Sequence, residues 1–475
     1  MKEQNGTTLT RRRFLTRTAA GAGVAFWAVP SHVLGLNGQT SPNNKLNIAG
    51  IGAGGRASGD LSEVSSENIV ALCDVDWRHA AGSFRRWPKA KRYKDFRKML
   101  DEMDKQIDAV VVAVPDHIHA VATMAALKRG KHVYCEKPLT HTVYESRVVA
   151  GTARKTGLAT QMGNQGQASE DTRRLCELVW AGAIGKVREA HIWTDRPSRG
   201  LFEVYWPQGV DRPKDTPPVP KWLDWDLWLG PAPWRPYNPA YAPFKWRGWW
   251  DFGTGALGDI GCHALDPVFR ALKLGSPVVY PQKPVPPDAA TPDKCVWPET
   301  IEASSTRVNK ETYPLASMVT YRFPARGDLP PLKLVWYDGN LRPPRPEGLP
   351  EGEPMGAGGR LLIGDEGFIL GTKIFPESRR KEFEKTPRTI PRSPGHHKEW
   401  ILACKGQYAQ PGSNFPYWAG PLAEVVLLGN VALQVELREL LTRKRLKWDA
   451  VGFRFPNLPE ADPFLHTSYR KGWSL

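Results

Sequence analysis

Residues 45–165 alternate short, mainly apolar segments with helix-like segments, and this alternation constrains the fold more than any other feature. The apolar segments lie at 46–51, 69–73, 109–114, 132–135 and 158–162. Their apolar residues are mostly consecutive rather than placed at every second position, which indicates strands buried on both faces. Parallel strands that are joined by helices are buried in this way. The pattern therefore predicts an α/β domain with a doubly wound parallel sheet.

The loop after the first strand is rich in glycine and reads Gly52-Ala53-Gly54-Gly55-Arg56-Ala57. This sequence fits Gly-x-Gly-x-x-Ala, and the next strand ends in Asp74, at roughly the spacing of a dinucleotide fold. Gly52 permits a tight turn, Gly54 lets the backbone approach a pyrophosphate, and the following helix offers free N–H groups to phosphate. The predicted cofactor-binding residues here are Gly52, Gly54, Gly55, Arg56 and Asp74.

Asp74 also bears on which dinucleotide is bound. Its carboxylate would accept hydrogen bonds from a ribose and would repel a 2′-phosphate, which favours NAD over NADP. Arg78 lies close by in the sequence and leaves NADP open as the less favoured alternative.

Three further motifs follow the predicted strands or lie farther along the chain. They are Pro115-Asp116-His117-Ile118-His119, Glu136-Lys137-Pro138, and Gly253-Thr254-Gly255-Ala256-Leu257-Gly258-Asp259-Ile260-Gly261-Cys262-His263-Ala264-Leu265-Asp266. Together with the glycine loop, they resemble the Gfo/Idh/MocA oxidoreductases from about Leu46 onward. The resemblance implies a pyranose or polyol dehydrogenase in which Lys137 and His263 meet the substrate and Asp259 supports them. It also places His119 and Glu136 near the cofactor, with a core histidine as the alternative for His119.

The residues alone make the same case more weakly. Asp259 and His263 are four residues apart, so a helix would place both on one face. His263 would accept a hydroxyl proton as hydride leaves the same carbon, Asp259 would orient the imidazole, and Lys137 would hydrogen-bond the hydroxyl. The alternatives are a surface lysine and a buried Asp–His pair, and the glycines weaken the helix prediction. Asn164 and Gln165, after the last strand, are predicted to contact sugar or nicotinamide.

Residues 166–475 form the predicted substrate-binding and oligomerisation domain. Strands at 187–194, 315–323, 332–337 and 361–370 alternate apolar and polar residues more openly, which predicts a mostly antiparallel sheet in an α+β domain. One sheet face is expected to be free for substrate or for a second copy of the chain. Residues 281–292 and 341–359 are predicted loops, and 423–441 a long helix. Nine of the 19 tryptophans lie between Trp193 and Trp250, where a carbohydrate cleft and core packing are both open.

Residues 1–40 read as an export signal and linker. Thr10-Arg11-Arg12-Arg13-Phe14-Leu15 precedes the apolar stretch 19–29, and the paired arginines resemble the twin-arginine signal. We expect a periplasmic or extracellular protein. Since soluble NAD is cytoplasmic, the cofactor would be loaded before export and held tightly.

Composition excludes several other classes. The formal charge of +16 is spread over scattered Lys and Arg residues, so no nucleic-acid partner is predicted. No apolar run is long enough for a permanent membrane span. The six cysteines lack metal-site spacing, so buried thiols are expected and no metal is predicted. Two other functions stay open, namely an NAD-dependent glycoside-cleaving enzyme that acts through a transient keto sugar and a catalytically silent sugar-binding protein.

Overall fold

The computed structural model describes residues 44–200, 203–280, 285–286, 288–434, 437, 440 and 444–475. The predicted signal and linker lie outside the described residues. So do parts of the predicted loop 281–292 and the last turns of the predicted helix 423–441.

A six-stranded parallel sheet with the order β3-β2-β1-β4-β5-β6 forms the first domain. Its strands are β1 Asn47–Ile51, β2 Asn68–Cys73, β3 Lys91–Tyr93, β4 Ala109–Val112, β5 His132–Glu136 and β6 Thr160–Gly163. The central strand β4 is buried along its whole length, because helices cover both faces of the sheet. The predicted doubly wound α/β fold is therefore confirmed. The short edge strand β3 was not predicted, because it has only three residues and two are charged.

Five helices connect these strands: α1 Gly55–Glu63, α2 Ala81–Arg86, α3 Phe96–Glu102, α4 Asp116–Leu127 and α5 Val143–Thr156. Local sequence sets the ends of α5. The Thr142 hydroxyl accepts from the backbone N–H of Glu145, and the Glu145 carboxylate accepts from the backbone N–H of Thr142. Gly157 ends the helix with φ +65°, a conformation that glycine adopts without steric cost.

The second domain is built on an eight-stranded sheet with the order β15-β14-β13-β7-β12-β11-β10-β16. Its strands are β7 Val187–Trp193, β10 Thr300–Ser305, β11 Ser317–Phe323, β12 Leu332–Tyr337, β13 Gly359–Gly364, β14 Gly367–Leu370, β15 Lys373–Phe375 and β16 Leu446–Lys447, while β8 Ser198–Arg199 and β9 Glu203–Val204 pair separately. Only β7 and β12 pair in parallel; the other neighbours are antiparallel. The mostly antiparallel α+β domain is thus confirmed.

Helix α12 packs against helices of both domains. The helices of the second domain are α6 Glu170–Trp180, α7 Trp225–Leu229, α8 Gly255–Ala264, α9 Asp266–Leu272, α10 Glu377–Glu382, α11 His396–Cys404 and α12 Gly420–Ala432. Every residue of α12 is buried, and the helix packs against both α5 and α8. The helix ends at Ala432, within the predicted range 423–441, and part of the rest of that range lies outside the described residues. Because α8 carries Asp259 and His263, this packing fixes both residues relative to the first sheet.

Helix α11 lies far along the chain yet packs on the first domain. Its Trp400 and Ile401 are buried in the same cluster as Ile48, Leu61 and Tyr134. The compact core around the first sheet therefore includes a segment that sequence order assigns to the second domain.

Part of the outer face of the eight-stranded sheet is covered by the chain itself. Trp193, Val335 and Tyr337 on this face share a buried cluster with Leu349, which lies in the predicted loop 341–359. That segment is packed onto the sheet, so the face predicted to be free is only partly available.

All six cysteines are free thiols, and four of them are buried, namely Cys73, Cys135, Cys176 and Cys262. Within the described residues, no helix is long and apolar enough to cross a membrane.

Candidate functional site

A cavity of about 350 Å³ opens where β1, β2, β4 and β5 end at their carboxyl termini. Its walls come from the glycine loop, from the segments that follow these strands, and from residues 227–247 and 263 of the second domain. Ligands of open parallel sheets bind at this edge, because the loops there diverge and expose backbone groups. The cavity therefore lies where the sequence analysis placed the cofactor.

The glycine loop depends on its missing side chains. Gly52 has φ +89°, and a Cβ there would come within 2.2 Å of the Ala113 carbonyl oxygen. A Cβ on Gly54 would come within 2.1 Å of the His79 ring. No side chain caps α1, so the first N–H groups of this helix remain free to bind an anion. The loop fits a bound pyrophosphate in all these respects.

Asp74 lies beside the loop and also fixes its shape. Its Oδ2 accepts hydrogen bonds from Ala53 N at 2.9 Å and Gly54 N at 3.2 Å, while Oδ1 accepts from Asp76 N. Burial raises its pKa, although these backbone donors partly offset the shift. Asp74 and Asp76 both line the cavity, so two carboxylates are available for a ribose.

Two residues after β2 refine the cofactor prediction. The Arg78 guanidinium lies over the Trp222 ring at 4.9 Å and does not line the cavity, which leaves it poorly placed for a 2′-phosphate. His79 does line the cavity and lies over Gly54. Sequence reasoning missed His79, although its position just after the β2 acid was a usable signal.

A charged network lies beneath the cavity. Arg56 donates to Asp60 at 2.7 Å and to Glu136 at 3.1 Å, and Gln165 donates to Glu136 at 2.7 Å. Burial raises the pKa values of both carboxyl groups, Asp60 to about 6. Arg56, Glu136 and Gln165 also line the cavity, so these three predicted site residues are brought together.

Lys137 lies at the end of β5, before a cis bond to Pro138. Its Nζ donates to Asp259 Oδ1 at 2.7 Å and to the Asp259 backbone oxygen at 2.8 Å. The structure thus places residues 122 positions apart in the sequence in direct contact. Lys137 lines the cavity with only 13% of its side chain exposed, which leaves the ammonium largely shielded from water.

A second cation contacts the same carboxylate. Arg247 Nε donates to Asp259 Oδ1 at 2.9 Å, and its guanidinium is also packed over the rings of Phe244 and Trp246. Burial disfavours an ionised Asp259, but Lys137 and Arg247 outweigh it and hold the pKa well below its ordinary value. Sequence reasoning missed Arg247, because it lies in a short 3-10 helix, Lys245–Gly248, without a recognisable motif.

His263 completes this end of the cavity. It lies on α8, one turn after Asp259, as the spacing predicts. Burial and the nearby Lys137 cation lower its pKa to about 4. The imidazole is therefore neutral at pH 7 and able to accept a proton. The carboxylate of Asp259 hydrogen-bonds the two cations, so its observed partners differ from the imidazole that the sequence analysis assigned to it.

Helix α8 forms despite its three glycines because they allow close packing. A Cβ on Gly255 would come within 2.6 Å of the Tyr313 ring, and one on Gly258 within 2.1 Å of Thr254. Tertiary contacts thus outweigh the poor helix propensity of this segment.

Besides Asp259, two predicted site residues lie outside the cavity lining. His119 is buried, and its ring nitrogens contact the carbonyl oxygens of Pro138 at 2.6 Å and Val114 at 2.8 Å. Asn164 is buried, and its Nδ2 donates to Asp266 Oδ1 at 3.0 Å. Both residues support the walls behind the cavity, His119 through the segment that holds Lys137.

The tryptophans between 193 and 250 serve mainly as core. Trp225, Trp228, Trp246 and Trp249 share one buried cluster, and of these only Trp228 and Trp246 line the cavity. Core packing is therefore confirmed for all four, while a carbohydrate contact of Trp228 or Trp246 stays a prediction.

Comparisons with known proteins agree with this architecture. Residues 45–164 match a family model described as "Oxidoreductase family, NAD-binding Rossmann fold". Residues 199–281 match a second model described as "Oxidoreductase family, C-terminal alpha/beta domain".

Curated relatives match over part of their length. Inositol 2-dehydrogenase of Salmonella paratyphi B is 29% identical over 31% of this chain and 44% of its own length. D-glucoside 3-dehydrogenase of Escherichia coli is 32% identical over 30% of this chain and 42% of its own. Levoglucosan dehydrogenase of Pseudarthrobacter phenanthrenivorans is 26% identical over 39% and 38%. The chain thus spans less than half the length of these relatives.

Solved structures share the fold over most of the chain. The WlbA dehydrogenase of Bordetella pertussis, in complex with NADH and UDP-GlcNAcA, has a TM-score of 0.53 and 14% identity, and covers 85% of this chain and 99% of its own. A levoglucosan dehydrogenase in complex with NADH has a TM-score of 0.51 and 16% identity, with 84% and 98% covered. Over residues 45–164 and 199–281, the chain is thus similar to the NAD-binding domain and the C-terminal domain of an oxidoreductase family.

Proposed function

We propose that this protein is an NAD-dependent oxidoreductase that moves hydride between a CH–OH carbon of a sugar or polyol and the nicotinamide. The observation that carries the proposal is that Lys137 and His263 line the same cavity, and that Lys137 is bound to Asp259, one helical turn before His263. The glycine loop and Asp74 lie elsewhere along the same cavity. A dinucleotide bound at the loop would bring its nicotinamide toward the three residues.

The residues divide the proton chemistry between them. Bound NAD would supply the hydride acceptor. The neutral His263 accepts the hydroxyl proton of the substrate as the C–H bond breaks. Lys137 has three N–H donors, two of which bind Asp259, and the third is available to the reacting oxygen. Its positive charge stabilises the alkoxide character that develops there.

Asp259 acts on this chemistry through Lys137. Held ionised by two cations, it fixes the position of the ammonium and balances part of its charge. Removal of either cation would leave a buried carboxylate with less compensation, which is costly.

The substrate class rests on two lines of support. The curated relatives are named as dehydrogenases of inositol, a D-glucoside and levoglucosan. In this chain, Trp228 and Trp246 line the cavity near Arg247 and His263, and aromatic rings pack well against the C–H faces of sugars. The roles of Asn164 and His119 in this proposal are indirect, through Asp266 and Pro138.

Export and cofactor retention belong to the same proposal. The paired arginines within Thr10–Leu15 support transport of a folded protein to the periplasm or the exterior. A protein exported in this form would carry its NAD with it, and a sugar pair or a transient keto sugar would regenerate the cofactor. Replacement of Arg12 and Arg13 by lysine tests the export step, since it should retain the protein in the cytoplasm. Unchanged export would contradict it.

The first experiment measures cofactor and turnover together. Protein purified without added nucleotide is denatured in acid, and the released dinucleotide is identified and quantified. Near-stoichiometric NAD supports the proposal, and an empty site with weak NAD affinity contradicts tight retention.

Turnover is then assayed with sugars and polyols for the wild type and Lys137→Ala. The variant should lose activity by about 10²-fold or more, and Lys98→Ala, an exposed lysine on α3, is the matched control. Full activity of Lys137→Ala would contradict the catalytic assignment. Product analysis with glycosides separates net oxidation from glycoside cleavage, which requires release of the aglycone.

A further inference from the structure

The segment Tyr469–Leu475 lies far from the glycine loop in the sequence but reaches the same cavity. Trp473 is half-buried and lines the cavity together with Lys94, Asp95 and Phe96. These three residues directly follow β3, the neighbour of β2 in the sheet. The second domain thus contributes an aromatic ring to the wall of the nucleotide-binding domain.

The position of Trp473 corresponds to one end of a dinucleotide. Asp74 and Asp76, the two carboxylates available for a ribose, follow β2. In a doubly wound sheet, the base lies beyond the ribose, between the segments that follow β2 and β3. Phe96 and Trp473 lie on this side, with ring centroids 6.0 Å apart. The opposite end of the cavity holds Lys137 and His263, so Trp473 belongs to the adenosine end.

Several contacts hold Trp473 in this place. The Arg97 guanidinium lies over its ring at 4.3 Å, and Arg97 Nη1 donates to the Gly472 oxygen at 3.4 Å. Lys128 Nζ donates to the Leu475 oxygen at 2.6 Å. On the other side, Arg470 Nε donates to the Gly230 oxygen at 3.0 Å. The segment is therefore fastened to α3 and α4 of the first domain and to the α7 region of the second.

A second segment covers the other side of this end. Leu223 forms a β-bridge with Asp76, and Asp224 N donates to the Val75 oxygen at 2.9 Å. Trp77 N donates to the Trp222 oxygen at 3.2 Å. Residues 222–224 and 470–475 thus reach the first domain at two places around the adenosine end.

We infer that Trp473 is an adenine-binding residue and that the segment 470–475 slows cofactor release by closing the adenosine end of the site. The ligand it takes is the adenosine half of NAD. An indole ring beside a purine is stabilised by stacking in the same way as a nucleic-acid base on an aromatic residue. The inference rests on the proposed NAD-dependent function and extends it to a residue outside the nucleotide-binding domain.

The test separates the two halves of the cofactor. ADP-ribose contains the adenosine end, whereas nicotinamide mononucleotide contains only the other end. Calorimetry with the full chain, stripped of nucleotide, gives a dissociation constant for each ligand. Trp473→Ala should weaken ADP-ribose about tenfold or more and change mononucleotide binding less than about twofold. Trp473→Phe should lie between this variant and the wild type, because it keeps a smaller ring.

The matched control is Trp234→Ala, which removes a tryptophan that is 66% exposed and does not line the cavity. It should bind both ligands as the wild type does. If Trp473→Ala does not fold, Trp473→Leu is measured instead. It keeps apolar volume without the ring and should still lower the affinity for ADP-ribose.

Release of bound NADH, followed by its fluorescence after addition of excess NAD, gives a second readout. It should be about tenfold faster in Trp473→Ala than in the wild type. Unchanged ADP-ribose affinity in the variants, or equal weakening of both ligands, overturns the inference while the proposed function stands. A wild type that binds neither ligand overturns both.

Discussion

Lys137 Nζ lies 2.7 Å from Asp259 Oδ1 and 2.8 Å from the Asp259 backbone oxygen. A lysine at the end of a strand in the first domain is thus bound twice by one residue of a helix in the second. Since Arg247 donates to the same carboxylate oxygen, the charge of Asp259 is shared between two cations. This arrangement fixes the ammonium and lowers the proton affinity of the neighbouring His263.

Arg247 should affect turnover through Asp259. In Arg247→Gln, the carboxylate loses one of its two cations, so its pKa should rise toward the ordinary value. We expect kcat to fall about tenfold at pH 7, with a larger fall at lower pH, and Arg247→Lys should restore part of it. Arg188→Gln, which removes an exposed arginine paired with Asp365, is the control. A pH-independent loss that lysine does not rescue would assign Arg247 to structure alone.

Protonation of His263 should set the lower end of the pH range in which the protein oxidises sugars. Its pKa is lowered to about 4, and a base must be unprotonated to accept the hydroxyl proton. Provided the protein remains folded, the rate of oxidation should therefore fall as the pH drops through about 4, because His263 becomes protonated. Between pH 6 and 8, His263 is unprotonated and should not limit the rate.

The cause of this low value can be tested by NMR titration of His263. In Lys137→Met, loss of the nearby cation should raise the His263 pKa, although burial should keep it below the ordinary value. Lys98→Met should leave it in place. An unchanged pKa in Lys137→Met would show that burial alone sets it.

Gly54 should affect cofactor binding more than folding. In Gly54→Ala, the new Cβ meets the His79 ring, which is exposed and free to rotate, so the protein should fold. The methyl group then occupies the approach of the pyrophosphate, and we expect NAD affinity to fall about tenfold or more. Gly59→Ala on the same helix is the control, because its Cβ meets only Arg56 Nη1 at 4.0 Å. Equal NAD affinity in the two variants would contradict the assigned role of Gly54.

Asp116 should make stability depend on pH. Burial raises its pKa to about 7 from 3.8, so between these values the folded state keeps a proton that the unfolded state releases. This group therefore lowers the free energy of unfolding as the pH rises from about 4 to about 7.

Asp116→Asn removes that dependence while keeping the shape of the protonated acid. Denaturant titrations should find the variant close to the wild type at pH 4 and more stable at pH 8, by on the order of 2 kcal/mol. Asp101→Asn, at an exposed position, should be neutral at both pH values. A variant that is less stable than the wild type at pH 8 would contradict the raised pKa, because it would mean that folding favours the ionised carboxylate.

The local sequence was sufficient to predict the first sheet and the glycine loop. The mainly apolar strands, the helix-forming segments and the spacing of Gly52, Gly54 and Asp74 are patterns of neighbouring residues, and the structure follows them closely. The pair Asp259 and His263 was predicted for the same reason, because one helical turn separates them. Edge strand β3 was missed, since three residues carry too little periodicity.

The contacts between distant segments could not be read from the sequence. Nothing near Arg247 signals its bond to Asp259, and nothing near Trp473 signals its place beside Phe96. Likewise, His119 and Asn164 stand in motifs or at strand ends, yet their side chains turn toward Pro138 and Asp266. Which way a polar side chain points depends on partners that only folding supplies.

The sequence by itself determined the α/β framework and the glycine loop, because both follow from local periodicity or short spacing, whereas the residues of the reacting end were implied by the resemblance to a family. The tertiary structure decided which charges meet. Packing of the buried helix α12 between α5 and α8 brings Asp259 to Lys137. Lys137 and Arg247 keep Asp259 ionised, while burial and the Lys137 cation keep His263 neutral. Electrostatic energy depends on distance in space and on burial, and neither quantity is a property of sequence spacing.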